Sequence, residues 1–446
     1  MSKTTRQNDV QPGNRQASLE VPGCDTQRRM LLGGLAGAVA TALFATACKS
    51  SEEEDAAAKA VATAKPEPAA APAAAPPDPL TPPGAEPLSA EESAWAEQFL
   101  ARNFSVDVHC HPGMFFFLGL SPEDPMLQKM ASVGVFEKRT VADMAAGQLS
   151  AACFATVADI SLIGAGKQGL FARREFEPGE AYSDHQRQMA VLQGMVDSGL
   201  VAPVRSLEDL VAAKNASQVG AIFASEGGDF LEEKGERLEE AWKAGIRKIG
   251  LVHYHINQIG DIQTAEPKHA GLTEFGREAV VEMNRLGMII DMAHATFETT
   301  RDAAELSSQP VIVSHSFIAD AGIQHPRLLS EDHARVIAQT GGLVGAWPSG
   351  IGNPDFPSFI DRLVRLVDFI GIDHVGLGTD MDANYLPVFT NYRQMPHLPV
   401  ALRSRGMNDE DIAKILGGNF MRVFNEVTQV ARVSYEVDAI ALRVRD

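Results

Sequence analysis

The chain has 446 residues, of which 45% are hydrophobic and 22% charged, and a formal net charge of −19. That size and balance fit one large or two medium soluble domains, and the acidic excess argues against a nucleic-acid partner, whose phosphates need a basic surface. Four cysteines (Cys24, Cys48, Cys110, Cys153) with no CxxC pair are too few for a disulfide scaffold and argue against a zinc ribbon. A Cys110–Cys153 bridge is open, but both residues sit in apolar, strand-like runs where a free buried thiol is expected.

Residues 1–47 read as a targeting segment. Arg28 and Arg29 precede an apolar run from Met30 to Ala47, and Thr26-Gln-Arg-Arg-Met-Leu-Leu resembles a twin-arginine export signal. A spanning anchor competes with this reading, but the 18-residue run is borderline in length and rich in Ala and Gly. Ala45-Thr46-Ala47-Cys48 resembles a bacterial lipoprotein cleavage box without its usual Leu. A lipid on Cys48 would anchor the chain without a spanning helix; ordinary cleavage near Ala47 would release it into the periplasm. Residues 48–88, acidic and then rich in Ala and Pro, cannot bury a core and read as an extended linker. The expectation is an exported bacterial protein, periplasmic or held at the membrane only by an N-terminal lipid, with its folded domain at 89–446.

Within that domain, apolar runs of strand length occur at Phe104–His111, Leu149–Val157, Val219–Glu226, Ile246–His255, Met288–His294, Pro310–Ser316, Gly342–Pro348 and His374–Asp380. Helix-like stretches separate them, such as Glu232–Ala244, Thr273–Leu286, Thr296–Leu306, Ser330–Thr340 and Ser358–Ile370. Eight strand–helix units predict an α/β fold of the (β/α)₈ TIM-barrel class. A doubly wound open sheet is the alternative, although no glycine-rich phosphate loop follows the first strand. The insertion Ala158–Glu180 is long enough to cover the mouth of a site.

Polar residues cluster at the ends of these runs: Asp107-Val-His109-Cys-His111, Glu226, His253 and His255, His294, His315 and Asp380. In such a barrel the carboxyl ends of the strands carry the active site. Residues two apart on a strand face the same way, so His109 and His111 can grip one metal. Glu226, with two oxygens, can bridge two. Imidazole and carboxylate donors suit Zn, and also Mn, Fe or Co. Bound water would then be the nucleophile, and Asp380 would orient or deprotonate it. Any one strand-end histidine is more often a packing residue than a ligand; the joint pattern points to a metal site. His185, His269, His333 and His397 lie in polar segments and are expected to be solvated. His325, before Pro326-Arg327, is expected to support the site from a loop. Met114 and Phe115–Phe117 are expected to pack rather than bind.

Eight stretches in order over about 320 residues resemble the membrane dipeptidase (renal dipeptidase) family of metallopeptidases. They are Ser225-Glu226-Gly227-Gly228, Ile249-Gly-Leu-Val-His253, Ile290-Asp291-Met-Ala-His294, Pro310-Val-Ile-Val-Ser314-His315-Ser316, His325-Pro326-Arg327, Thr340-Gly-Gly-Leu-Val-Gly345, Gly376-Leu-Gly-Thr-Asp380-Met-Asp382 and Leu416-Gly-Gly-Asn419-Phe-Met-Arg422-Val-Phe424. The resemblance implies a two-zinc dipeptidase. His109 and His111 would hold one zinc, Glu226 would bridge, and His294 and His315 would hold the other. It further implies that His253 stabilises the tetrahedral intermediate, Arg327 pairs with the substrate's terminal carboxylate and Asp380 is the acid–base residue. It implies a small peptide or amide substrate, with a D-residue accepted at the C-terminal position, and pairing into a homodimer. The chain departs from the family in carrying His111 where Asp is usual, which raises the charge of the site by one. The interval from His315 to Arg327 is slightly long, and His255 is a rival to His253. The His-x-His start also suits an amidase or lactonase, and the lipobox and linker would suit a non-catalytic ligand-binding lipoprotein.

Overall fold

A computed structural model describes residues 79–430 except residues 168 and 321. The targeting segment, Cys24, Cys48 and the tract up to residue 78 lie outside the described residues. In chain order the strands are β1 (Val106–Cys110), β2 (Ala151–Val157), a hairpin of β3 (Ile163–Gly166) and β4 (Gly169–Ala172), a short β5 (Ala202–Pro203), β6 (Gly220–Glu226), β7 (Ile246–Gly250), β8 (Ile289–Asp291), β9 (Val311–Ser316), β10 (Val344–Ala346) and β11 (Val375–Leu377).

Eight of them run parallel in a closed ring, β1-β2-β6-β7-β8-β9-β10-β11, with β11 returning to β1 where Asp107 faces Leu377. The fold is a (β/α)₈ barrel, and the open-sheet alternative falls because the sheet has no free edge in this ring. All eight expected runs contain a barrel strand. Five strands stop sooner than their runs, at Cys110, Gly250, Asp291, Ala346 and Leu377. His253, His255, His294 and Asp380 therefore stand on the outgoing loops. His294 and Asp380 adopt left-handed backbone, φ 72° and 54°, a conformation that costs roughly 1–3 kcal/mol and clusters at functional sites.

Alternation along the strands splits the core in two. On β2, Ala152 and Phe154 face the helices, while Ala151, Cys153 and Ala155 face the barrel interior. The interior group continues through Val106, Val108, Ile222, Ala224, Ile289 and Ile312 to Phe420 and Phe424 of the helix at 419–430. Asn419 Nδ2 donates to Ile372 O and Val375 O, at the start of β11, so this helix plugs the amino-terminal mouth and leaves the opposite mouth for chemistry. Cys110 and Cys153 are buried free thiols. Residues 79–88, at the end of the tract read as linker, lie against the barrel: Pro79 O accepts from Asn391 and Gln394, and Pro83 O from Phe356 N.

Helix ends follow their capping residues. Thr273 caps the helix Glu274–Leu286, which closes on Gly287 at φ 67°. Ser330 caps the helix Glu331–Gln339, but its reciprocal partner is the His333 side chain. That bond, with the Phe297 ring at 5.2 Å, buries His333. His185 is likewise buried, stacked on Phe230 at 3.9 Å, and His397 lies against Phe356. The expectation that these three are solvated is corrected: polar neighbours in sequence occupy the outer helix face while the histidine takes the inner one. Burial pushes His185 down to about 3. His269 is exposed, as expected.

Neighbouring backbones also approach closely at Ser314 O, where a Cβ on Gly345 or Gly378 would fall 1.9 or 1.8 Å away. Only hydrogen fits there. Gly345→Ala is expected to cost at least about 2–3 kcal/mol through overpacking, seen as a fall in Tm of several degrees in thermal unfolding.

Candidate metal centre

Glu226 ends β6 with its side chain 6% exposed, and five imidazoles turn Nε2 toward it. His109 and His294 approach Oε1 at 3.3 and 3.0 Å, and His315 the same oxygen at 3.6 Å. His111 and His253 approach Oε2 at 3.2 and 3.4 Å. Asp380 Oδ1 lies 3.4 Å from His111 Nε2. All six partners are buried. His109 and His111 do face together, their Nε2 atoms 3.1 Å apart, although His111 stands just beyond β1.

The ligand atoms form three overlapping groups, each within 4.8 Å: His109–Glu226–His315, His109–His111–Asp380 and Glu226–His253–His294. In His111 and His315 the outer ring nitrogens support metal binding through Nε2. His111 Nδ1 donates to Ala155 O at 2.9 Å, and His315 Nδ1 lies 3.0 Å from Ser314 Oγ. A ring held by Nδ1 presents the Nε2 lone pair inward, the usual support for a ligating histidine. A buried set of imidazoles around a carboxylate suits first-row divalent ions, so the residues fit a metal. His111, in the position where Asp was the family expectation, takes its place in this set. Burial pushes its imidazolium down, but Asp380 and Glu226 outweigh burial and hold it up at about 10. The ring must shed that proton to ligate a metal.

Several supporting residues escaped the sequence reading. Lys248, fully buried in β7, lies 3.0 Å from His109 Nδ1 and pairs with Asp291 Oδ2 at 2.8 Å. Asp107 Oδ1 accepts from the backbone of His109 and Thr379, and its Oδ2 from the hydroxyls of Thr379 and Tyr392. It thereby ties β1 to the loop that carries Asp380. Asp159, two residues beyond β2, accepts from His253 Nδ1 at 2.6 Å and from Tyr254 N. Burial pushes His253 down, but the Asp159 and Glu226 carboxylates raise it overall.

His255 does not compete with His253. Its Nδ1 meets Asp229 at 2.7 Å and its Nε2 meets Glu175 at 2.8 Å, outside the cluster. Glu175 follows the β3–β4 hairpin, so His255 fastens the insertion over the barrel. Burial pushes His255 down, while Asp229 and Glu175 lift it to about 9.

Arg327, 2% exposed, donates to Gln263 Oε1 at 2.7 Å and has Nη2 3.0 Å from His315 Nε2. His325 Nδ1 accepts from Arg327 N, so this loop histidine supports the arginine. Arg327 Nε and Trp347 Nε1 are buried without acceptors. Both residues line a cavity of about 590 Å³, open mouth included, with Glu226, His253, His294, His315 and Asp380. Phe115 packs into the core as expected; Phe116 and Phe117 also reach this cavity.

A profile of the membrane dipeptidase family, peptidase family M19, matches residues 99–437. The chain belongs to that family. Dipeptidase tcpJ of Claviceps purpurea is 29% identical over 259 residues, 56% of this chain and 61% of the relative. The chain thus spans less than two thirds of the length of the curated relatives it matches. Among solved structures, the probable dipeptidase PvdM from Pseudomonas aeruginosa aligns over 77% of this chain and 100% of its own, at 20% identity and TM-score 0.64. A metallo peptidase from Rhodobacter sphaeroides, liganded with a phosphinate mimic of L-Ala-D-Ala, aligns over 73% and 99%, at 19% identity and TM-score 0.62. These two likenesses agree with the barrel fold.

Two outcomes are expected. Glu226→Gln lowers metal affinity by more than the ~10–100-fold typical of an outer supporting residue, read as metal retained after equilibrium dialysis. His255, raised in the folded protein, adds stability that is fully present below its ordinary value near ~6.5 and is lost as pH rises through about 9. Thermal unfolding from pH 6 to 10 should show that loss in the parent and a flatter profile in His255→Gln.

Proposed function

We propose that the protein is an exported zinc-dependent dipeptidase that cleaves the peptide bond of short substrates with a free terminal carboxylate, including those with a D-residue at that position. One observation carries the reading. Buried donors converge on Glu226 at the floor of a cavity that is also lined by Arg327 and Trp347, whose Nε and indole N–H have no acceptor.

His109, His111, Glu226, His294 and His315 would hold two zincs, with Glu226 bridging. When bound, such ions supply Lewis acidity and lower the pKa of coordinated water. The chain's own groups do the rest. Arg327 pairs with the terminal carboxylate, and its free Nε and the Trp347 N–H are the further donors at that end. Asp380, on the cavity wall, accepts the proton of the attacking water and returns it to the leaving nitrogen. His253, kept protonated by Asp159, offers Nε2–H to the oxygen that gains charge. The insertion held by His255 limits solvent access.

Export through the twin-arginine-like segment and lipidation at Cys48 belong to the same proposal, as does pairing of two copies, which rests on family resemblance. A second reading, hydrolysis of N-acyl amino acids or lactones, is favoured by the His109-x-His111 start.

Chelation is expected to abolish dipeptide hydrolysis and zinc to restore it. Asp380→Asn should lower kcat by about 10²–10⁴-fold. Arg327→Met should raise KM about tenfold or more, since hydrogen bonds to charged groups are worth about 1.5–3 kcal/mol. Activity that survives both chelation and Glu226→Gln would overturn the proposal; cleavage of acyl amino acids alone would favour the second reading.

A further inference from the structure

The cavity has two unlike ends. At one, Arg327 stands beside His315, with Trp347 5.5 Å from the guanidinium. At the other, the Phe116 ring meets the His111 ring edge-on at 5.4 Å. Beyond it the wall is built from Phe117, Met130, Ile160, Ile163 and Leu170. These residues come from three segments: the turn Pro112–Phe117, the helix Pro125–Ala131 and the insertion bearing β3 and β4. They pack as an apolar cluster of their own, separate from the two barrel groups.

The carboxylates and the guanidinium lining the cavity are Glu226, Asp380 and Arg327, with His111 and His253 on the floor beside Glu226. Past the Phe116 ring the lining is apolar. A free ammonium has no partner against that wall and would be costly to desolvate there; it must stay on the polar floor near Asp380. With the carboxylate at Arg327 and the scissile bond over Glu226, the group on the carbonyl side of that bond points to Phe116.

We propose that this wall is a recognition site for a bulky apolar group on the carbonyl side of the scissile bond, so that the preferred substrates carry a large aliphatic or aromatic first residue. The orientation rests on the dipeptidase reading; the apolar wall does not. Burying such a side chain favours it over hydrogen by roughly 10- to 100-fold.

The test is kcat/KM of the zinc-loaded protein for Phe-Ala, Leu-Ala, Gly-Ala and Asp-Ala. Phe-Ala and Leu-Ala should exceed Gly-Ala by roughly 10- to 100-fold, with Asp-Ala lowest. In Leu170→Asp the Phe-Ala to Gly-Ala ratio should fall about tenfold, and in Leu170→Met it should hold. If Leu170→Asp does not fold, the parent panel still decides. Equal use of Gly-Ala, Asp-Ala and Phe-Ala overturns the proposal. If no dipeptide is cleaved, the dipeptidase reading fails by itself. The wall is then judged on N-phenylacetyl-alanine against N-acetyl-alanine, by turnover or, without turnover, by calorimetric binding. Preference for the phenylacetyl group upholds the site, and parity overturns it.

Discussion

The structure is organised around one buried anion. The Glu226 carboxylate is inside the protein, where an unpaired charge is prohibitive, and five imidazoles surround it. Those rings come from β1, β9 and the loops after β1, β7 and β8. Their convergence depends on closure. Val157 sits opposite Glu226 across β2 and β6, and Gly250 opposite it across β6 and β7. A one-residue slip in either pairing would turn the carboxylate to the other face.

Around this centre, four of the five rings are held from behind by groups of different kinds: Ala155 O for His111, Lys248 for His109, Asp159 for His253, Ser314 for His315. The rings are thereby oriented by the barrel, independently of whatever they bind, and that pre-organisation is what a metal site requires. The left-handed backbone at His294 and Asp380 belongs to the same arrangement. Packing on all sides holds two conformations that a free chain would leave.

Most of this architecture was legible in the sequence, because a strand buried on both faces is a continuous apolar run and a polar residue at its end stands out. Strand ends were harder. The run Ile246–His255 gives no sign that β7 stops at Gly250, since tertiary packing decides where the chain turns away. Asp159 carried a usable signal, an acid two residues past an apolar strand, in the same kind of position as the residues that were noticed. Lys248 did not: it is a charge inside an apolar run, and its partner, Asp291, lies 43 residues away. Asp107 stood in the strand-end cluster, but its supporting role did not show, since its partner Tyr392 lies 285 residues away. The three buried histidines were misread because local polarity reports the outer face of a helix, not the inner one.

The separate apolar cluster at the Phe116 end has a consequence for how such a protein can diverge. Apart from Val157 at the end of β2, its buried members hang on the connections after β1 and β2, in a cluster distinct from the barrel interior and the helix layer. Mutations there can reshape what the molecule accepts while the metal cradle and the staves keep their packing. On the proposed role of this wall, substrate preference and folding stability rest on different sets of side chains.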